Sequence, residues 1–249
     1  MENIENIITI KNLNFSYPDG HHVLTDVNLE IRKREIFGII GPTGAGKSTL
    51  LQHLNGILKG DGEITVDNIK IEKKSDAKIK EKVGIVFQNP DDQLFCPTVH
   101  EDIAFGLFNL GLKAGEINEK VHTILEKMDL SHLSKLSSHH LSFGEKKRVA
   151  LATTLVMNPQ VIALDEPFAN LDYKSLLTVI DMIEKLPLTR IIISQDILLA
   201  LSICQRIAIL DHGKIIKVGD SEEIARDHAT LSHCGLDYLP YLRMIKKFL

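Results

Sequence analysis

Apolar and polar residues alternate through Ile7–Leu13 and again through Val27–Ile31, the period-two pattern of strands with one buried face. Pro18-Asp19-Gly20 between them is a turn signal. Ile36-Phe37-Gly38-Ile39-Ile40 is apolar almost throughout, as a strand covered on both faces of a parallel sheet must be. Ser48–Leu54 then reads as a helix, and Glu63–Val66 and Val83–Phe87 as further strands. From about Val99 to His140 the period lengthens to that of helices, with Val121, Ile124, Leu125 and Met128 forming one apolar stripe. Arg190–Ser194 and Arg206–Leu210 return to core-strand patterning. Asp211-His212-Gly213 turns the chain into a last strand, Lys214–Val218. The tail from Tyr238 to Leu249 is apolar with Arg243, Lys246 and Lys247. It predicts a packed C-terminal helix ahead of a membrane-surface one, because Pro240 breaks it early. No repeat, low-complexity tract or linker divides the chain, so a single α/β domain over residues 1–249 is expected.

Composition narrows this reading. The chain has 249 residues, 44% of them hydrophobic and 25% charged, as in an ordinary globular protein. A net charge of -4 argues against a nucleic-acid-binding face, which would be basic. No apolar run approaches the ~20 residues of a membrane helix. Met1–Glu5 is acidic and lacks the features of a signal peptide, which points to the cytoplasm. Cys96, Cys204 and Cys234 are odd in number and far apart. They predict free thiols rather than a disulfide framework or zinc site.

Two phosphate-binding signatures carry the candidate chemistry. Gly41-Pro42-Thr43-Gly44-Ala45-Gly46-Lys47-Ser48 fits the P-loop pattern, and it lies between a buried strand and a helix, the context that pattern requires. Its glycines let backbone N–H groups converge on phosphate oxygens. Lys47 offers a cation to the β- and γ-phosphates and Ser48 a hydroxyl to Mg²⁺. Val161-Ile162-Ala163-Leu164 ends in Asp165-Glu166, which puts carboxylates at the carboxyl edge of the sheet, where ligands bind in open α/β folds. The second signature is Leu141-Ser142-Phe143-Gly144-Glu145, followed by the basic run Lys146-Lys147-Arg148.

This combination resembles the ATP-binding-cassette (ABC) ATPases. The resemblance implies a parallel core sheet carrying the P-loop, an N-terminal antiparallel β region, and a helical subdomain inserted at about residues 99–140. It also implies that ATP with Mg²⁺ is bound by residues Gly41 to Thr49, with Tyr17 stacking on adenine. Asp165 and Gln88 would join Ser48 around Mg²⁺, and Glu166 would be the general base. Ser142, Phe143, Gly144 and Glu145 would close on the ATP of a second ABC subunit, and Asn170-Leu171-Asp172 would cross the interface. The stretch Gln88-Asn89-Pro90-Asp91-Asp92-Gln93-Leu94-Phe95, with Thr98–Gly106, is similar to the ATPases of energy-coupling-factor (ECF) importers, including the cobalt and nickel systems. By that similarity the chain sits on the cytoplasmic face of the membrane, with a transmembrane coupling protein and a substrate-binding membrane component as partners. Asp91 and Asp92 would face the coupling protein. The short chain, without a long C-terminal extension, places cobalt or nickel ahead of a vitamin as cargo.

Three residues depart from the family pattern. Gln195, in Ser194-Gln195-Asp196, stands where a switch histidine is usual, and its neutral amide can donate to a phosphate but cannot titrate near neutrality. Glu145 stands in place of Gln, and Arg34 where Gly commonly precedes Glu35. Two other readings remain open: a poorly hydrolysing ATP-binding partner in a heterodimer, for which Gln195 argues, and a non-transport P-loop phosphotransferase, against which the second signature argues. The adjacent pairs His21-His22 and His139-His140 lack a third ligand and are not expected to hold a metal.

Overall fold

The computed structural model describes residues 5–246. Most of the Met1–Glu5 stretch and the end of the tail therefore lie outside the described residues. The chain opens with a long antiparallel pair, β1 (Asn6–Ser16) and β2 (His22–Arg32), closed by a tight turn in which the Gly20 N–H donates to the Tyr17 carbonyl. β3 (Ile36–Ile40) leads through the P-loop into α1 (Lys47–Leu54). β4 (Asp61–Val66), β5 (Ile69–Lys70), α2 (Asp76–Lys82) and β6 (Val83–Val86) follow. The helical stretch contains α3 (Val99–Asn109) and α4 (Ala114–Lys127), then only short 3-10 turns at Ser131–Leu133 and Ser138–His140. The later chain alternates α5 (Phe143–Leu155), β7 (Val161–Asp165), α6 (Tyr173–Glu184), β8 (Thr189–Ser194), α7 (Ile197–Ile203), β9 (Arg206–Asp211) and β10 (Lys214–Asp220). It closes with α8 (Ser221–Arg226), α9 (His228–His233) and α10 (Leu239–Ile245).

The strands form two sheets. One is antiparallel in the order β2-β1-β4-β5; the other has the order β10-β9-β3-β8-β7-β6 and is parallel except for β10 at its edge. Successive residues of the central strands serve opposite faces, as the pleat demands. Ile36 and Ile40 of β3 join a core shared with α3 to α9, whereas Phe37 and Ile39 join one shared with the antiparallel sheet and α1. Burial on both faces explains the unbroken apolar runs of β3, β7 and β8. The parallel strands run their carboxyl ends to one edge, so the residues after β3, β7 and β8 converge there.

Two expectations change. The C-terminal segment is helical at Leu239–Ile245, but Pro240 occupies its first turn, where a missing N–H costs nothing, so the proline opens the helix instead of breaking it. Nor is the helix packed along its length: Leu242 and Met244 are 40% and 60% exposed. The glycine usual at the Arg34 position also acquires a reason. Arg34 has φ 63, a left-handed conformation that glycine adopts without steric cost, in the turn between β2 and β3. Its backbone is held there by the Thr189 hydroxyl, which accepts from the Arg34 N–H at 2.8 Å, and by Arg190, which donates to the Arg34 carbonyl at 2.8 Å.

Candidate functional site

Backbone crowding fixes the P-loop first. A Cβ on Gly41 would lie 2.0 Å from the Leu210 carbonyl oxygen, so β9 can pass this close only to glycine. Gly46 caps α1 at φ 102. Lys47, the first residue of α1, is buried, and its ammonium donates to the carbonyls of Gly41 at 2.7 Å and Pro42 at 2.9 Å. Burial holds its pKa below the ordinary lysine value, against the pull of Glu166 and Asp165. The Thr49 hydroxyl meets the Tyr17 hydroxyl at 3.1 Å. The Tyr17 ring also stands edge-on to Phe15 at 5.0 Å, so the aromatic is anchored at the mouth of the loop.

β7 delivers the carboxylates. Glu166 follows Asp165 at φ 44, a strained conformation for a residue with a side chain, and its N–H donates to the Ile193 carbonyl at 3.0 Å. Asp165 Oδ1 and Glu166 Oε1 are buried without a hydrogen-bond partner among the described residues. Burial raises both carboxyl pKa values. For Asp165 the Ser48 hydroxyl, Lys47 and Lys147 oppose this; for Glu166 Lys47 opposes it and Asp165 adds to it. A buried carboxylate oxygen with no donor beside a serine hydroxyl is a donor set suited to a hard divalent cation, so these residues fit Mg²⁺. At the end of β8 the Thr43 hydroxyl donates to Gln195 Oε1 at 2.9 Å, and Gln195 also lies close enough to Glu166 to counter part of its burial.

These groups share one cleft of about 320 Å³. Of the residues expected from sequence, Tyr17, Thr43, Gly44, Gly46, Lys47, Ser48, Thr49, Gln88, Asp165, Glu166 and Gln195 line it, whereas Gly41, Pro42 and Ala45 do not. His21 and Val23 also line it, and no motif marked them. Their place follows from the β1–β2 turn folding over the P-loop: the Thr25 N–H donates to Gly213 and the Gly213 N–H to Ala45.

None of Ser142, Phe143, Gly144 or Glu145 lines that cleft. They start α5 elsewhere on the surface, where Ser142 and Glu145 cap the helix reciprocally. The Ser142 N–H and hydroxyl donate to Glu145 Oε2 at 2.8 and 2.7 Å, and the Glu145 N–H donates back to the Ser142 hydroxyl at 3.3 Å. The Glu145 carboxyl is thereby held below its ordinary pKa. Glu145 is thus accounted for by the capping box. Gly144 has a packing reason of its own, since a Cβ there would lie 2.4 Å from the Ser175 hydroxyl on α6.

The segment after β6 is stapled to α5. Lys146 pairs with Asp91 at 2.6 Å, and the Gln93 amide donates to the Ala150 carbonyl at 2.8 Å. Lys147 is 3% exposed, and its ammonium donates to the carbonyls of Gln88 at 2.7 Å and Glu166 at 3.1 Å. Burial lowers its pKa to about 8. Lys147 lies within a basic run of the sequence, but it shares a face with buried Gly144, Ala150, Leu151 and Thr154, a spacing visible in the sequence. Beyond the staples, Phe95, Phe105 and Phe108 are 64%, 44% and 70% exposed. The three cysteines are free, and burial raises the Cys96 and Cys204 thiols to about 11 and about 12, far from a reactive thiolate.

Comparison with known proteins identifies the family. The ABC transporter family model matches residues 24–169. The energy-coupling factor transporter ATP-binding protein EcfA of Methanothermobacter thermautotrophicus is 43% identical over 96% of this chain and 80% of its own length. EcfA of Methanocaldococcus jannaschii is 42% identical over 92% of this chain and 85% of its own. Among solved structures, cbiO1 of Clostridium perfringens, described as part of the ABC transporter complex cbiONQ, superposes with a TM-score of 0.82. It has 36% identity and covers 97% of this chain and 99% of that one. A dimeric ATP-binding cassette in a post-hydrolysis state with ADP and Pi gives a TM-score of 0.77 at 28% identity, over 86% of this chain and 98% of that chain.

Proposed function

The chain belongs to the ABC transporter family as an ECF-type ATPase, and from that premise we propose how its residues work and what they drive. ATP lies along the P-loop with its phosphates on the backbone N–H groups and Lys47, and its adenine against Tyr17. Ser48, Asp165 and Gln88 would hold Mg²⁺, which when bound would neutralise phosphate charge. Glu166 accepts a proton from the attacking water; burial raises its pKa, which suits a general base, and the Lys47 charge opposes that rise. Gln195 is held by Thr43 beside Glu166 and presents its amide to the γ-phosphate. Positioning and charge stabilisation supply most of the catalysis. The single observation that carries this reading is the cleft where Lys47, Ser48, Gln88, Asp165, Glu166 and Gln195 meet.

Ser142 to Glu145 lie outside that cleft and serve the ATP of a second ABC subunit, so the working unit is a dimer. The dimer docks on a transmembrane coupling protein at the cytoplasmic face of the membrane and energises uptake through a substrate-binding membrane component. Among the described residues no helix is long and apolar enough to cross a membrane. The exposed Phe95, in edge contact with Phe105 at 4.9 Å, forms the docking face with Asp91 and Asp92. Since Lys146 already engages Asp91, Asp92 is left to meet a cationic partner group. The cargo we favour is cobalt or nickel ion ahead of a vitamin, and the cargo bound to the purified complex decides between them.

Purifying the membrane complex through a tag on this chain tests the reading. It should retain a transmembrane partner and, by elemental analysis, bound cobalt or nickel. Asp91→Asn with Asp92→Asn should weaken assembly while ATP affinity stays within a few fold. Equal loss of both would reduce the segment to a structural role. If the assembled complex contains a second, different ATPase and this chain turns nothing over, the heterodimer reading suggested by Gln195 takes precedence.

A further inference from the structure

Three staples tie the segment after β6 to α5, and they are not equivalent. Lys146 pairs with Asp91 where the carboxylate is 50% exposed, a contact worth little in water. Gln93 spans from the Phe87 N–H, which donates to its Oε1 at 3.2 Å, to the Ala150 carbonyl and the Thr153 hydroxyl of α5, both at 2.8 Å. Both staples join two elements. Lys147 joins three: its ammonium leaves α5 and donates at once to the Gln88 carbonyl and to the Glu166 carbonyl.

We propose that Lys147 is a positioning residue for Glu166, the strut through which the Gln88 segment, and the docking face that follows it, set the backbone on which the Glu166 carboxylate stands. Glu166 needs such a support. It sits at φ 44, and strained backbone persists only where its surroundings over-determine it. Its carbonyl otherwise accepts only the long Ala169 N–H bond at 3.2 Å among the described residues. A buried ammonium is costly unless its donors are used, so one that spends two of three on these carbonyls fixes their separation. The Phe143 ring, 5.7 Å from the ammonium, closes over it. A shift of the Gln88 segment moves that carbonyl, and the ammonium carries the shift to Glu166. A fraction of an ångström at a catalytic base is enough to change turnover.

The inference rests on Glu166 being the base, and the test separates the two. ATP turnover, nucleotide affinity and thermal unfolding are measured on the full chain for Lys147→Met, Lys147→Gln, Lys146→Met and Glu166→Gln. Methionine keeps the length and removes the donors. Lys147→Met should lower kcat at least tenfold with KM and the equilibrium Kd for ATP within threefold. Lys147→Gln, which restores N–H donors, should recover part of that loss. Lys146→Met should stay within twofold of the wild type. Turnover within twofold in Lys147→Met, or a loss of ATP affinity that matches the loss of kcat, overturns the assignment. Should Lys147→Met not fold, Lys147→Gln must by itself lower kcat without lowering ATP affinity, or the assignment fails. A Glu166→Gln variant that still turns over removes the base, and the strut with it. An inactive Glu166→Gln beside a normal Lys147→Met removes the strut alone.

Discussion

At the scale of single residues, the site works through charges that burial has made sensitive. Desolvation pushes Asp165 and Glu166 up and Lys47 down, while the attraction between the lysine and each carboxylate opposes those shifts. Gln195 adds a donor to this set without a charge. Removing a donor from developing negative charge costs about 10²–10³ in rate elsewhere, and a neutral donor in place of a cation should cost less. Gln195→His should therefore raise kcat and leave the Kd for ATP within a few fold. It should also bring in a pH dependence near the ~6.5 of an ordinary imidazole. A steady-state pH profile of the two proteins checks this; unchanged turnover would mean that another group stabilises the γ-phosphate. Lys147 was legible by its period within α5, yet its partners were not, because a helical face says only that a side chain turns inward and not which carbonyls wait there.

At the scale of elements, caps and turns explain residues that motif comparison left unexplained. Glu145 completes the capping box of α5, and Arg34 occupies a left-handed turn between β2 and β3. The Arg34 side chain is exposed, and its backbone bonds to Thr189 and Arg190 would survive its loss. Left-handed backbone costs a residue with a Cβ about 1–2 kcal/mol, partly offset by glycine's greater freedom in the unfolded chain. Arg34→Gly should accordingly stabilise the protein by about 1 kcal/mol, an increase of about 2–4 °C in Tm for a chain of this size, measured by thermal unfolding. A drop in Tm would show that the arginine side chain contributes contacts. The parallel strands were plain in the sequence because burial on both faces leaves continuous apolar runs. Helices α6 to α9 were not singled out; the tail helix was expected, but the role of Pro240 was misread because the same proline can open a helix or break one.

At the scale of the whole molecule, the P-loop cleft and the Ser142–Glu145 signature are separate features of one chain. Ser142 lies outside the cleft that holds Lys47, so neither can complete the other within the monomer. With Glu166→Gln and MgATP, the isolated protein should move from monomer to dimer in sedimentation, since nucleotide is bound but not consumed. Remaining monomeric at saturating ATP would point to a different ATPase as the second half. Closure driven by ATP and release after hydrolysis would then bias two states of the membrane partner through unequal binding to each.

The sequence alone determined the P-loop, the carboxylates after β7, the alternation of strands and helices, and the family resemblance. These depend on local spacing and on which faces are buried, and such patterns are written along the chain. Tertiary structure decided what those residues touch. It brought Tyr17 to Thr49 and Thr43 to Gln195, and it turned a lysine in a basic run into a buried strut between Gln88 and Glu166. Contacts between residues so far apart in sequence are set by the packing of whole sheets and helices. No local pattern records that packing.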